Sequence, residues 1–127
     1  MGTGAPTILV VDDSPTARLQ VRVVLEEAGF AVLEAGNGLE GLEEARRVAV
    51  DAMVVDLNMP VMTGLEMIAA VRMLIAHRKT PIIVASTEAS EAAVQEGLAV
   101  GASAWLIKPV DAEVLLPALR RALGRSG

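Results

Sequence analysis

Short aliphatic runs recur along the chain at similar spacing and alternate with segments of helical period. Three of the runs are apolar almost throughout, which is typical of strands buried on both faces of a parallel sheet. In the first intervening segment, apolar residues recur every three or four positions from Ala17 to Ala28, and Arg18 and Arg22 fall on the opposite, solvated face. The predicted strands are residues 8–11, 30–33, 52–55, 82–85 and 104–107.

Capping residues mark the starts of two of the predicted helices. Ser14 is a typical N-cap and is followed by Pro15 at the first helical position, where proline is well tolerated. Thr63 and Glu66 have the spacing of a capping box. The polar residues at these positions therefore support the division of the chain into strands and helices that the apolar pattern indicates.

The alternation of five strands with five helices predicts an α/β fold, a five-stranded parallel sheet with helices on both faces and right-handed crossovers. For the strand order we take 2-1-3-4-5 from known flavodoxin-like (βα)5 proteins, because the pattern alone does not give it. Two helices are less regular in sequence. Gly97 weakens the fourth, and Pro117 lies inside the fifth, where an interior proline costs about 3 kcal/mol or produces a kink.

The chain length and composition are those of one folded domain. We expect a single domain over residues 1–127 with its core at about 7–123, because 127 residues lie within the usual range for one domain and 53% of them are apolar. The net charge of −5 argues against binding to nucleic acid or to an anionic membrane surface. No apolar stretch is long enough to span a membrane and no signal peptide is recognisable, so we expect a cytoplasmic location without membrane insertion.

The absence of cysteine excludes disulfides, thiolate metal sites and thiol nucleophiles. The single histidine, His77, lies beside Arg78 and Lys79, and we expect it at a solvated helix end. A site with several histidines or a Ser/His/Asp triad is therefore not expected. Any chemistry has to use carboxylates, hydroxyls, lysine or the backbone.

Polar residues that could carry chemistry directly follow the first, third, fourth and fifth predicted strands. Because the carboxyl ends of parallel strands lie along one edge of a sheet, these side chains are expected to converge there. Three carboxylates close together repel one another, and Mg²⁺, or Mn²⁺ in its place, is the natural counter-ion because it prefers oxygen ligands. A lysine supplies a positive charge for an anionic group such as a phosphoryl group. The residues are Asp12 and Asp13 after the first strand, Asp56 after the third, Ser86 after the fourth and Lys108 after the fifth.

The same segments resemble the receiver domain of two-component response regulators, the CheY-like family. The similarity covers nearly the whole chain, about residues 7–123, with its motifs in the family's order and spacing. The motifs are residues 8–13, 54–64, 82–86 and 101–109.

The resemblance implies a role for each of the converging residues. Asp56 is the expected phosphoryl acceptor, and Asp12 and Asp13 are expected to hold Mg²⁺ together with Asp56 and the backbone carbonyl of Asn58. Ser86 is expected to hydrogen-bond a phosphoryl oxygen, and Lys108 to pair with the phosphoryl group.

Further expectations from the resemblance concern the switch and the lifetime of the phosphorylated state. Trp105 stands where the family has a rotamer-switching aromatic residue, usually Tyr or Phe, so that Ser86 and Trp105 form the expected switch. The bond between Lys108 and Pro109 is expected to be cis. Asn58 and Glu88 flank the path of an attacking water in receivers, and these polar residues predict rapid self-dephosphorylation.

The predicted function is therefore that of a phosphoacceptor receiver domain, with no enzymatic activity apart from its own phosphoryl transfer and hydrolysis. A sensor histidine kinase or a phosphotransfer protein is the expected donor. A downstream protein is expected to bind the face formed by the fourth helix, the fifth strand and the fifth helix. Ser103 and Ala104 replace the acidic pair found in many dimerising transcriptional receivers, which favours a stand-alone chemotaxis or phosphorelay regulator that is a monomer or weak dimer.

Three other interpretations remain open from the sequence. The chain could be a receiver fragment of a longer regulator with an output domain, or a phosphate-independent pseudo-receiver, although the acidic pair, Asp56 and Lys108 are all present. It could also be a small nucleotide- or flavin-binding domain. The spacing of Gly36, Gly38 and Gly41 matches a dinucleotide-binding fingerprint, but it follows the second strand rather than the first, and we interpret it as a turn and helix cap. The methionines scatter through apolar segments and are predicted to fill the core.

Overall fold

The computed structural model describes residues 5–124, and its central feature is one parallel sheet of five strands. The strand order is β2-β1-β3-β4-β5, and every neighbouring pair is parallel, which confirms the predicted topology. Residues 1–4 and 125–127 lie outside the described part, and the extension of one domain to both ends of the chain stays a prediction. The strands are β1 (Thr7–Val11), β2 (Ala31–Ala35), β3 (Ala52–Asp56), β4 (Ile82–Ser86) and β5 (Ala104–Ile107).

Five α-helices connect and follow the strands. Ser14 caps α1 by accepting a hydrogen bond from the Ala17 amide, and Thr63 and Glu66 form the predicted capping box of α3. The fifth helix continues through Pro117. No helix of the described residues is long and apolar enough to cross a membrane. The helices are α1 (Pro15–Glu27), α2 (Gly38–Arg47), α3 (Gly64–Val71), α4 (Glu91–Val100) and α5 (Ala112–Ala122), with a 3-10 turn at Ile75–His77 after α3.

The core consists of two apolar layers, one on each face of the sheet. Leu42 of α2 and Met67 of α3 are buried in the layer on one face, against which Trp105 of β5 also packs. Leu25 of α1 and Leu115 of α5 are buried in the layer on the other face. The central strands β3 and β4 are buried at every position, as their apolar sequences predict.

The prediction that His77 lies at a solvated helix end is wrong. Its side chain is 1% exposed and lies in the 3-10 turn, where the chain folds back against α2. The ring nitrogens Nε2 and Nδ1 lie 2.9 Å from the Ala45 carbonyl oxygen and 2.8 Å from the Thr80 hydroxyl. Because both nitrogens have partners, the ring satisfies its polar atoms while it is buried.

The prediction that the methionines fill the core is correct for Met53, Met59 and Met67, which are buried, but not for Met73. Met73 is 80% exposed and lies after the end of α3 at Val71. Its side chain therefore does not reach either apolar layer.

The glycines of the apparent dinucleotide fingerprint have a packing role. A Cβ atom on Gly38 would lie 2.5 Å from the Met62 carbonyl oxygen, and a Cβ atom on Gly41 would lie 2.9 Å from side-chain atoms of Val11 and Met67. The segment lies at the start of α2, after the edge strand β2. Close approach of α2 to its neighbours explains both glycines, as the turn-and-cap interpretation requires.

Candidate functional site

The parallel register brings the polar residues at the strand ends to one edge of the sheet. Asp56 ends β3 and pairs with Ala85 of β4, directly before Ser86. Asp12 follows β1, which pairs with β3, and Lys108 follows β5, which pairs with β4. The predicted convergence of these side chains is thus a direct consequence of the strand order.

Three carboxylates form a cluster at this edge. Asp12, Asp13 and Asp56 each offer an oxygen atom, and these atoms lie within 4.8 Å of one another. Asp12 and Asp56 are buried, whereas Asp13 is exposed and open to solvent. Three carboxylates at this separation form a donor set of hard oxygens, which suits Mg²⁺ with water in its remaining positions.

Lys108 is the cation that faces the cluster. Its Nζ atom lies 2.8 Å from Asp12 Oδ2 and 3.0 Å from Asp56 Oδ1. Its backbone amide donates to the Ser86 carbonyl oxygen at 2.8 Å, and the Lys108–Pro109 bond is cis, in agreement with the expectation. One ammonium group therefore contacts two of the three carboxylates.

The charges of the cluster shift the pKa of two of its groups. Burial raises the pKa of the Asp56 carboxyl, the hydrogen bond from Lys108 offsets part of that rise, and the nearby Asp12 and Asp13 charges add to it. Burial lowers the pKa of the Lys108 ammonium, but its hydrogen bonds and attraction to Asp12 and Asp56 outweigh burial, so that its pKa is raised. Lys108 is therefore positively charged at neutral pH, and Asp56 ionises less readily than an ordinary aspartate.

The β4–α4 loop holds the Ser86 side chain in a defined position. Ser86 is 1% exposed, and its Oγ atom accepts a hydrogen bond from the Glu88 amide at 2.9 Å. That hydroxyl therefore keeps its own proton free to donate to another group. Glu88 is exposed, and its carboxylate accepts a hydrogen bond from the Ser90 hydroxyl.

Trp105 is joined to the same loop through its indole. The indole Nε1 donates to the Glu88 carbonyl oxygen at 2.9 Å, and the side chain is only partly buried. A Cβ atom on Gly97 of α4 would lie 2.5 Å from Cζ3 of the indole. Gly97, which lowers the helical propensity of α4, is therefore the residue that gives the indole its space against this helix.

The two residues predicted to tune dephosphorylation line the same cleft. Asn58 of the β3–α3 loop and Glu88 of the β4–α4 loop both line a cleft of about 370 Å³ that also contains Thr63, Ser90 and Glu96 at its walls. Asn58 is exposed, and the Leu57 carbonyl beside it accepts from the Gly64 amide at 2.9 Å. Both side chains therefore have access to solvent.

Sequence reasoning missed one residue at this edge, Arg18. The helical pattern placed it on a solvated face, but its guanidinium donates to the Asp12 carbonyl oxygen at 2.6 Å and pairs with Glu34 at 3.0 Å. Its side chain is 20% exposed. The available signal was its position in the first turns of α1, directly after the acidic pair.

A doubly wound parallel sheet with clustered carboxylates and a lysine at its carboxyl edge belongs to the class of open α/β proteins that bind ligands at this edge. Comparison with known sequences identifies the family within this class. The sequence profile of the response regulator receiver domain matches residues 8–120, and the chain belongs to this family.

Individual relatives agree with this assignment. The chain is 37% identical to the protein PilH of Pseudomonas aeruginosa over 119 residues, which cover 91% of this chain and 96% of PilH. Some other curated relatives are longer: the chain spans 53% of the transcriptional regulatory protein PrrA of Mycobacterium leprae and 15% of the sensor histidine kinase CheAY of Helicobacter pylori.

Solved structures agree as well. The chemotaxis protein CheY4 of Vibrio cholerae superposes with a TM-score of 0.90 at 44% identity, over 94% of this chain and 99% of CheY4. The receiver domain of the sensor histidine kinase PA1611 of Pseudomonas aeruginosa superposes with a TM-score of 0.89 at 26% identity, over 95% of this chain and 99% of that domain. That structure has a magnesium ion coordinated in its active-site cleft.

Proposed function

We propose that this receiver domain accepts a phosphoryl group on Asp56 in a reaction that requires Mg²⁺, and that it signals to a protein partner by a conformational switch. The observation that carries the proposal is the contact of Lys108 Nζ with Asp56 Oδ1 at 3.0 Å, beside the Asp12 and Asp13 carboxylates. This arrangement supports the proposal, because the carboxylate proposed as nucleophile, an ammonium group that could face the incoming anion and the proposed metal ligands lie close together.

The transfer forms one bond and breaks one. A carboxylate oxygen of Asp56 attacks the phosphorus, an acyl phosphate bond forms, and the bond from phosphorus to the donor's nitrogen or oxygen breaks with its electron pair leaving on that atom. Lys108 faces the added negative charge, and the Ser86 hydroxyl donates a hydrogen bond to a phosphoryl oxygen. Asp12, Asp13 and Asp56, together with the Asn58 backbone carbonyl, would hold Mg²⁺, which would offset the charge of the reacting groups.

The same proposal includes a short lifetime for the phosphorylated state. Asn58, two residues after Asp56, and Glu88, two residues after Ser86, line one solvent-accessible cleft, and each is polar. An amide and a carboxylate at these positions orient a water molecule toward the phosphorus, whereas large apolar or cationic side chains would displace that water. We therefore expect the domain to reset itself quickly.

The proposed partners are a sensor histidine kinase or phosphotransfer protein as donor and a downstream protein that binds the α4–β5–α5 face. Large apolar side chains are exposed on each of these three elements, Leu98 on α4, Ile107 on β5 and Val114 on α5. Trp105 links this face to the β4–α4 loop through the Glu88 carbonyl. A cytoplasmic monomer or weak dimer is part of the same proposal.

The experiment is phosphorylation by a small acyl phosphate or phosphoramidate, followed by intact-mass measurement. The wild-type protein is expected to gain the mass of one phosphoryl group in Mg²⁺ and none in excess chelator. Asp56→Asn is expected to remove the gain, because a neutral amide replaces the carboxylate nucleophile. Asp51→Asn is the matched control, since Asp51 only accepts a hydrogen bond from the Thr7 amide outside the site, and it is expected to label fully. Equal labelling of wild type and Asp56→Asn would refute the assignment.

A further inference from the structure

Arg18 joins two loops at the functional edge of the sheet. Its Nη1 atom donates to the Asp12 carbonyl oxygen at 2.6 Å, and its Nε atom donates to Glu34 Oε1 of β2 at 3.0 Å. A Cβ atom on Gly36, in the loop after β2, would lie 3.6 Å from the same Nη1. The guanidinium therefore lies between the β1–α1 loop, which carries the acidic pair, and the end of the neighbouring strand.

We propose that Arg18 is a positioning residue for the divalent cation, holding the Asp12–Asp13 backbone so that both carboxylates face Asp56. This inference rests on the proposed function, because it concerns the cation that the three carboxylates would bind. The hydrogen bond from Arg18 goes to the Asp12 backbone carbonyl and not to a carboxylate, so Arg18 acts through the backbone that joins Asp12 to Asp13.

The remaining hydrogen bonds of Asp12 show what Arg18 adds. The Asp12 amide donates to the Ala35 carbonyl, its Oδ1 accepts from the Ser14 amide at 2.9 Å, and its Oδ2 accepts from Lys108. The Asp12 carbonyl is the atom that leads into the peptide bond of Asp13, and Arg18 is the group that holds it. Asp13 itself is exposed, so the orientation of this peptide determines where its carboxylate lies.

Glu34 fixes the guanidinium from the other side. The hydrogen bond from Arg18 lowers the pKa of the Glu34 carboxyl, burial opposes it, and Arg22 adds a second hydrogen bond at 2.7 Å. Glu34 therefore stays ionised. Because Nε of Arg18 donates to Glu34 while Nη1 donates to the Asp12 carbonyl, Glu34 keeps the planar guanidinium in one orientation. Arg22 shares this partner but is bound on its other side to Glu26 rather than to the acidic loop.

The charge of Arg18 and its hydrogen bond to Asp12 predict opposite effects on Mg²⁺ affinity when Arg18 is replaced. Arg18 carries a positive charge close to a cation site, so loss of that charge alone would strengthen the binding of Mg²⁺. Loss of the hydrogen bond to Asp12 would instead loosen the ligand pair and weaken binding. Partners that orient metal ligands typically change affinity by about 10–100-fold when they are mutated. Because Arg18 acts on the backbone of the ligands, we expect the lower end of that range.

The test is isothermal titration of the full chain with MgCl₂, with the wild type, Arg18→Met and Arg22→Met compared at one pH and ionic strength. Arg18→Met is expected to raise the Kd for Mg²⁺ by about tenfold. Arg22 also pairs with Glu34 but does not contact Asp12, so Arg22→Met removes the same charge without removing the hydrogen bond to the acidic loop. The Kd of Arg22→Met for Mg²⁺ is therefore expected to equal that of the wild type or to be slightly lower. Melting temperatures in chelator establish that each variant is folded.

An unchanged or lower Kd in Arg18→Met would overturn the inference, and so would an equal increase in Arg22→Met. Failure of the proposed function is distinguishable, because the wild type itself would then show no heat of Mg²⁺ binding. If Arg18→Met does not fold, Arg18→Lys applies the same test. It keeps the charge but not the forked geometry, and we expect a Kd about threefold higher than the wild type, a partial loss within the range above. An unchanged Kd in a folded Arg18→Lys would likewise overturn the inference in that case.

Discussion

Replacing Asp56 by asparagine is expected to stabilise the protein when Mg²⁺ is absent. The carboxylate oxygens lie within 4.8 Å of one another. With that limit taken as the distance between charges and an effective dielectric constant of about 20, each pair repels by roughly 3.5 kcal/mol, so Asp12 and Asp13 together oppose the Asp56 charge by roughly 7 kcal/mol. Attraction from Lys108 at 3.0 Å offsets roughly 5.5 kcal/mol of this repulsion. A net penalty of about 1.5 kcal/mol remains before the cost of burying the charge is included.

The assay is chemical or thermal unfolding in excess chelator, followed by circular dichroism. At pH 7, Asp56→Asn is expected to raise the free energy of unfolding by about 1–2 kcal/mol, which corresponds to an increase in Tm of roughly 5 °C for a domain of this size. Glu43→Gln removes the same charge at an exposed position and is the control, with no change expected. Saturating Mg²⁺ is expected to stabilise the wild type and to narrow or reverse the difference.

The pH dependence of unfolding is an independent test of whether Asp56→Asn stabilises the protein. Because the pKa of Asp56 is raised in the folded protein, its contribution to stability is fully present below the ordinary pKa of aspartate, about 3.9, and is lost as the pH rises through the folded value. The difference between Asp56→Asn and wild type should therefore be smallest near pH 4 and should grow toward pH 7. A destabilised Asp56→Asn in chelator at pH 7, or a difference that grows toward acid, would refute the electrostatic reasoning.

Two further predictions concern the switch and the reset. Gly97→Ala places a Cβ atom against the Trp105 indole, and despite the better helix propensity of alanine it is expected to lower the free energy of unfolding by roughly 1–3 kcal/mol. It is also expected to change the fluorescence emission of the only tryptophan in the chain. Gly36→Ala, where the added Cβ makes only ordinary contacts, should change neither the stability nor the emission. Glu88→Lys is expected to slow decay of the phosphorylated protein by about tenfold or more in a time course of intact mass, and the same change at Glu91 is the control. A decay rate indifferent to Glu88→Lys would exclude its role in the reset.

The strands and the polar residues at their ends were predictable because both depend on local sequence. An apolar run identifies a buried strand, and in a parallel sheet the residue after it lies at the edge where ligands bind. The second strand shows where the apolar pattern fails to give the bounds of a strand. It was predicted at residues 30–33 but continues to Ala35, because Glu34 pairs with Arg18 and Arg22 and so remains within the strand although it is charged.

The features that sequence reasoning missed depend on contacts between distant segments. The neighbours of His77 in sequence are cationic and exposed, but its ring is buried against the Ala45 carbonyl, 32 positions away. Gly97 weakens a helix in isolation, and only the position of Trp105 on β5 shows why this position has no side chain. No local pattern contains information of this kind.

The central claim is that Asp56 is the residue that receives the phosphoryl group, and locating that group tests it most directly. An acyl phosphate on aspartate is reduced by borohydride to homoserine, which is stable to proteolysis and sequencing by mass spectrometry. In protein treated with a small phosphoryl donor and Mg²⁺, we predict homoserine at position 56 and unmodified aspartate at positions 12 and 13. Homoserine at position 12 or 13, or a phosphorylated protein with aspartate intact at position 56, would contradict the account.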